Sequence, residues 1–223
     1  MPHRIKILST KKLLLGQKRI LVEARFALSQ SDFIETRPID FSLDQVNDNL
    51  IFTSQNGIKS VINHPKFSEI KNKNVFCVGQ KSKELLAKNG CNVIAYSENA
   101  ADLAEVITLV YSNDSFTFFS GNLRRDILPL TLKKAKVNFN EVQVYETVLT
   151  PKKNTIKQNG LLFFSPSGVD SYLKKNTITD EVCFCIGQTT AKALIQKRVN
   201  RIVMASHPTI EDLITVVVEY YQP

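Results

Sequence analysis

The chain has 223 residues, 43% hydrophobic and 22% charged, with a formal net charge of +8. That length buries a core without staples, either as one large domain or as two of roughly 100 residues, and the composition excludes extended disorder or low complexity. No run approaches the roughly 18 apolar residues that a membrane span requires, and MPHRIKILST lacks the apolar core and cleavage site of a signal peptide, so a cytoplasmic protein with no membrane partner is expected.

The basic residues are spread along the chain apart from pairs such as Lys11-Lys12 and Arg124-Arg125. This charge fits a polyanionic small ligand, or solubility alone, better than nucleic acid. Cys77, Cys91, Cys183 and Cys185 form no C-x-x-C arrangement, and three of them sit inside apolar runs, so buried free thiols are expected. His3, His64 and His207 have no acid or thiol at ligand spacing, and no metal is expected.

In chain order, strand-like runs centre on residues 5–8, 32–36, 50–53, 75–78, 92–95, 116–119, 141–145, 161–164, 183–186 and 201–204. Amphipathic helices alternate with them. Leu103, Val106, Ile107 and Val110 recur at helical spacing, as do Ile210, Leu213, Ile214 and Val217. Strand and helix in alternation imply parallel sheets covered on both faces.

The runs also repeat. LIFTSQNGI sets Ser54, Asn56, Gly57 and Ile58 against Ser165, Ser167, Gly168 and Val169 of LLFFSPSGV, and VFCVGQKSKELL answers CFCIGQTTAKAL. FFSGNLRR followed by VQVYET answers ILSTKKLL followed by SDFIET, which makes the first segment of the chain the counterpart of the end of the first full repeat. The expected topology is therefore a discontinuous domain A, residues 1–36 plus 148–223, and a domain B, residues 40–143. Hinge strands are expected at about 33–41 and 141–149, flanked by Pro38 and Pro151. Each domain is expected to be a flavodoxin-like α/β unit with strand order 2-1-3-4-5, whose ligands bind beyond the carboxyl ends of the strands. If the domains face each other, the polar turns at those ends line one cleft.

The turns carry no dinucleotide fingerprint, P-loop, catalytic triad or carboxylate pair. They carry hydrogen-bond donors: Thr53, Ser54, Gln55, Asn56, Gln80, Ser82, Ser120, Asn122, Ser165, Ser167, Gln188, Thr189 and Thr190, with Lys11, Arg124 and Arg125 adjacent. Each hydroxyl taken singly is also a helix cap. As a set at helix N-termini, they suit carboxylates or phosphates.

FTSQNG, VGQKSKELL, FFSGNLRRDILP, VYET, FFSPSGV, IGQTTAKAL and HPTIEDL, in that order, resemble uroporphyrinogen-III synthase. The resemblance implies two flavodoxin-like domains joined by a two-stranded ladder, and a monomeric, cofactor-free lyase that closes hydroxymethylbilane into an asymmetric macrocycle with loss of water and inversion of ring D. It also implies substrate binding by Thr53, Ser54, Asn56, Ser82, Arg124, Ser165, Ser167, Thr189, Thr190 and Lys11. Tyr145 of VYET is then the proton donor to the departing hydroxyl, a phenol being protonated at neutral pH. Two rival readings remain at this point. One is a two-domain receptor for an anionic metabolite, without chemistry; the other is a basic nucleic-acid-binding protein, which predicts stacking aromatics beside the basic residues and steep salt dependence.

Overall fold

A computed structural model describes residues 4–222. The chain divides into two units, Met1–Glu35 with Val148–Pro223, and Thr36–Thr147. In the first unit, β1 (Lys6–Ser9), α1 (Leu15–Glu23) and β2 (Ala27–Gln30) precede the crossing. After the return come β9 (Gly160–Phe163), α7 (Pro166–Leu173), β10 (Val182–Cys185), α8 (Gln188–Gln196), β11 (Ile202–Met204) and α9 (Ile210–Tyr221). The sheet order is β11-β10-β9-β1-β2, with every neighbouring pair parallel. Counted within the unit, this is the order 2-1-3-4-5.

Strand β10 illustrates why the short apolar runs lack alternation. Val182 and Phe184 enter a core with Ile7, Leu21, Leu162 and Leu213. Cys183 and Cys185 enter another with Leu8, Leu161, Phe163, Tyr172 and Leu194. Neighbouring side chains point to opposite faces, and helices bury both faces, so all four residues of the strand are apolar.

The second unit repeats the scheme. It contains β3 (Ile34–Pro38), β4 (Asn49–Phe52), α2 (Gln55–Ile62), α3 (Phe67–Ile70), β5 (Asn74–Val78), α4 (Gln80–Lys88), β6 (Asn92–Ser97), α5 (Ala100–Val110), β7 (Ser115–Gly121), α6 (Ile127–Lys134) and β8 (Asn138–Leu149). The order is β3-β8-β7-β4-β5-β6. Phe52 and Phe119 stack at 5.1 Å on one face, whereas Ile51, Phe76, Phe116 and Phe118 pack on the other with Leu103 and Leu132. β3 lies beside β8 at the sheet edge, and both strands run across the boundary between the units.

The strand expected at 32–36 differs in place. The sheet strand is β2, paired from Lys6↔Ala27 to Ser9↔Gln30, and Ile34–Pro38 is a separate strand. SDFIET matches VQVYET in sequence, but β8 runs unbroken for 12 residues while its counterpart is interrupted at Ser31-Asp32-Phe33. There Phe33 turns into the core against Tyr172, with centroids 5.6 Å apart, and Asp32 Oδ1 accepts from Lys12 N at 2.8 Å. A local match in sequence thus conceals a break made by one buried ring and one captured amide.

The cysteines are free, with Cys77, Cys183 and Cys185 buried and Cys91 half-buried. Burial pushes the thiols of Cys77 and Cys185 up to about 11 and that of Cys183 up to about 12. Since the thiolate is the reactive form, a thiol reagent at pH 8 is expected to modify Cys91 first and the other three only on unfolding. Mass spectrometry of a labelling time course checks this, and early modification of Cys183 would contradict it.

Candidate active site

In a parallel sheet of order 2-1-3-4-5, the connections leaving strands 1 and 3 go to opposite faces, and the crevice between their carboxyl ends is where ligands bind. In the second unit those strands are β7 and β4. The turn after β4 is Thr53-Ser54, where extended backbone at Ser54 (φ −147°, ψ 137°) opens α2 and the Ser54 hydroxyl accepts from Asn56 N at 3.1 Å. A capping hydroxyl accepts through a lone pair and keeps its own proton for donation. Gly57, Ile58 and Val61 bury one face of α2, whereas Asn56, Lys59, Ser60 and Asn63 line a cavity of about 460 Å³. Its other wall comes from Thr36, Pro38, Ile39 and Phe41, and Phe41 lies against the His64 ring at 4.7 Å. Lys59 makes no ion pair among the described residues.

Across the crevice, β7 ends in Gly121-Asn122, and the Tyr145 ring lies directly against Gly121. A Cβ built on Gly57 would sit 3.7 Å from Tyr145 Cε1, so α2, β7 and β8 converge on this ring. Its hydroxyl makes no hydrogen bond among the described residues. Tyr145 therefore packs against the first turn of α2, the turn that carries Asn56.

Arg124 is placed differently from a free anion receptor. Its Nε and Nη2 fork onto Glu141 at 2.5 and 3.0 Å, and Nη1 pairs with Asp126. These three residues line a cavity of about 500 Å³ together with Ser120, Gly121, Asn122 and Gln143. One cation against two carboxylates leaves that cavity with net negative charge. Burial opposes ionisation of Glu141, but hydrogen bonds from Arg124 and Ser120 and the guanidinium charge outweigh it and hold the carboxyl below its ordinary value. The adjacent Arg125 is exposed and makes no ion pair among the described residues.

In the first unit the corresponding crevice lies between β1 and β9. Ser165 caps α7, accepting from Gly168 N at 3.1 Å and sharing a 3.0 Å hydrogen bond with Ser167 Oγ. The turn after β1 has already paired its amides internally. Lys12 N donates to Asp32, Leu13 N to Gln30 Oε1 at 3.0 Å, and Leu14 N to Gln17 Oε1 at 2.9 Å. Only the side chains of that turn, including exposed Lys11, remain for a ligand.

The two G-Q turns differ from the others because a glycine opens each helix and no side chain caps it. Gly79 holds φ +86°, which favours glycine, whereas Gly187 at φ 175° is extended. The first two amides of each helix stay available there, whereas Ser82 N and Thr190 N donate to the glycine carbonyls at 3.0 Å. Thr189 is exposed, but Ser82 and Thr190, at 4% and 1% exposure, point beneath their helices and are not brought to the surface. Helical periodicity carries the reason: each lies one position beyond an outward residue and falls on the packed face. Lys59, His64 and Phe41 were missed by sequence reasoning. The available signal was the polar stripe Asn56, Lys59, Ser60, Asn63 at helical spacing, which has the pattern of any solvated face.

Two measurements check these assignments. Ser165→Ala is expected to lower the unfolding free energy by about 1 kcal/mol through loss of the cap, and Ser167→Ala by less; equal costs in urea titrations would contradict the cap. Because the Glu141 carboxyl is depressed, its contribution to stability is full above the ordinary value of 4.5 and is lost as pH falls through the lower folded value. The urea midpoint of the wild type should therefore fall more steeply below pH 4.5 than that of Glu141→Gln, and parallel curves would contradict the fork.

Residues 29–215 match the family described as Uroporphyrinogen-III synthase HemD. The fold is similar to the crystal structure of uroporphyrinogen-III synthetase from Helicobacter pylori, at 19% identity over 97% of this chain and 99% of that one, with a TM-score of 0.73. It is also similar to a mutant uroporphyrinogen III synthase from the extremely thermophilic bacterium Thermus thermophilus, at 12% identity over 98% of this chain and 99% of that one, with a TM-score of 0.74. At such identities the solved structures establish the fold, while the family match spans most of the sequence and both units. The chain belongs to the uroporphyrinogen-III synthase family.

Proposed function

We infer that this chain converts hydroxymethylbilane into uroporphyrinogen III, with Tyr145 as proton donor and the polar turns as the grip on the substrate's carboxylate arms. Membership of the family supports the reaction. The observation that carries the assignment of Tyr145 is its place at the β7/β4 crevice, with a fixed ring and a hydroxyl uncommitted to other protein groups among the described residues. The phenol donates its proton to the terminal hydroxyl, which leaves as water and forms an azafulvene. Attack by the substituted carbon of ring D gives a spirocyclic pyrrolenine, which fragments and recloses at the free carbon of ring D. The proton lost from that carbon restores the phenol, so no net proton is consumed.

The free linear substrate closes to the symmetric isomer, so the protein's contribution is to select the conformation that reaches the spirocycle. Positioning contributes up to about 7–11 kcal/mol in ideal intramolecular models. The side-chain amide of Asn56 and the ammonium of Lys59 line one face of α2, with the Ser54 hydroxyl at its N-terminus, and support binding of carboxylate arms there. Lys11, Ser167 and Thr189 offer donors on the first unit. Arg124 acts in this reading through its fork to Glu141, and Arg125 is the free guanidinium beside it.

The test supplies the purified protein with freshly generated hydroxymethylbilane and separates the oxidised uroporphyrin isomers by chromatography. Isomer III is expected to dominate, and isomer I alone from folded protein would overturn the reading. Tyr145→Phe is expected to lower kcat partially, because the hydroxymethyl group departs readily even unassisted, with KM unchanged; wild-type kcat in the folded variant would remove Tyr145 from the mechanism.

A further inference from the structure

The pairing of β7 with β8 is regular up to Ser120↔Gln143 and then slips, so that Gly121 faces Tyr145 and Val144 is the extra residue. In a regular strand Val144 and Tyr145 point to opposite faces. Here Val144 is fully buried in the same core against which Tyr145 packs. A bulge at a strand's end is a way of re-aiming a side chain, and this one turns Tyr145 onto the face occupied by α2.

What meets the redirected ring is a glycine. A Cβ on Gly121 would lie 2.3 Å from Tyr145 Cζ, 2.5 Å from Cε2 and 2.8 Å from Cε1, closer than any real side chain approaches. The φ of Gly121 is not positive, so its backbone tolerates an alanine and only the ring excludes one. The next residue fastens the strand beyond the slip. Asn122 Oδ1 accepts from Thr147 N at 2.8 Å, and Asn122 Nδ2 donates to Thr147 O at 3.2 Å, as a partner strand would. The ring is thus seated from below on Gly121 and fixed along the chain by the Asn122 clasp. At Gly57 of α2, by contrast, a Cβ would meet only ordinary contacts at 3.5 Å and beyond.

We propose that Gly121 and Asn122 are positioning residues for the reaction, holding the Tyr145 ring flat against the backbone so that its hydroxyl emerges at the crevice. The proposal rests on the assignment of Tyr145 made above. Its consequence is that a single methyl group at Gly121 displaces the phenol without touching substrate.

The test is a double-mutant cycle on isomer III formation with Gly121→Ala, Tyr145→Phe and the pair. Gly121→Ala is expected to lower kcat at least as far as Tyr145→Phe does, with KM held, and the pair to be no worse than Gly121→Ala alone. Gly57→Ala, at ordinary contact distance, serves as the control and keeps kcat. Losses that multiply in the pair, or wild-type kcat in folded Gly121→Ala, would overturn the proposal. A fully active Tyr145→Phe would instead defeat the assignment of the proton donor. Should Gly121→Ala fail to fold, nuclear magnetic resonance of the wild type decides. Ring current should displace the Gly121 α-protons upfield, and Tyr145→Leu should return them; ordinary shifts in the wild type would overturn the seat.

Discussion

Burial of both sheet faces constrains everything else in this protein. A parallel strand sandwiched between helices favours apolar side chains, so β9 and β10 are apolar and buried throughout, and the buried polar residues Asn49 of β4 and Thr117 of β7 are held by hydrogen bonds to Ser115 O and Asn140 Oδ1. Polar side chains open to a ligand are thereby concentrated at strand ends, and parallel pairing collects the carboxyl ends of each sheet on one edge. The donors legible as isolated Ser, Thr and Asn residues become a row because the sheet aligns them. No individual turn needs to be specific for this to happen.

Along each row, the amides of the polar turns are handled in three ways. Hydroxyl caps at Ser54 and Ser165 each take one amide; Ser54 keeps its proton to donate, and the Ser165–Ser167 pair spends one of its two hydroxyl protons on the bond between them. Glycine openings at Gly79 and Gly187 leave first-turn amides uncapped by side chains. The turn after β1 satisfies its amides with Asp32, Gln30 and Gln17. Two halves built on one repeat pattern thus share the hydroxyl-capped and the glycine-opened turns, and the turn after β1 stands apart because side chains from β2, the segment following it and α1 take its amides.

Charge follows a similar division. The basic pair Arg124-Arg125 reads in sequence as an anion site, yet Arg124 is held by Glu141 and Asp126, where a bidentate fork is stronger than a single exposed ion pair. Glu141 is on β8, 17 residues away, and only strand pairing brings the two together. The cations left for a polyanion are those that make no ion pair among the described residues, such as Lys59 on the outward face of α2.

By itself the sequence determined the repeat, the discontinuous course of the chain, the parallel α/β class and the turns that hold the donors, because each depends on local periodicity and on which residues end an apolar run. The tertiary structure alone decided the rest. It broke the strand expected at 32–36 by burying Phe33. It neutralised Arg124 across a strand pair, and through a one-residue slip it laid Tyr145 against Gly121. These outcomes depend on partners distant in the chain, and on the register and orientation in which the strands meet, for which a linear pattern of residue types carries no signal.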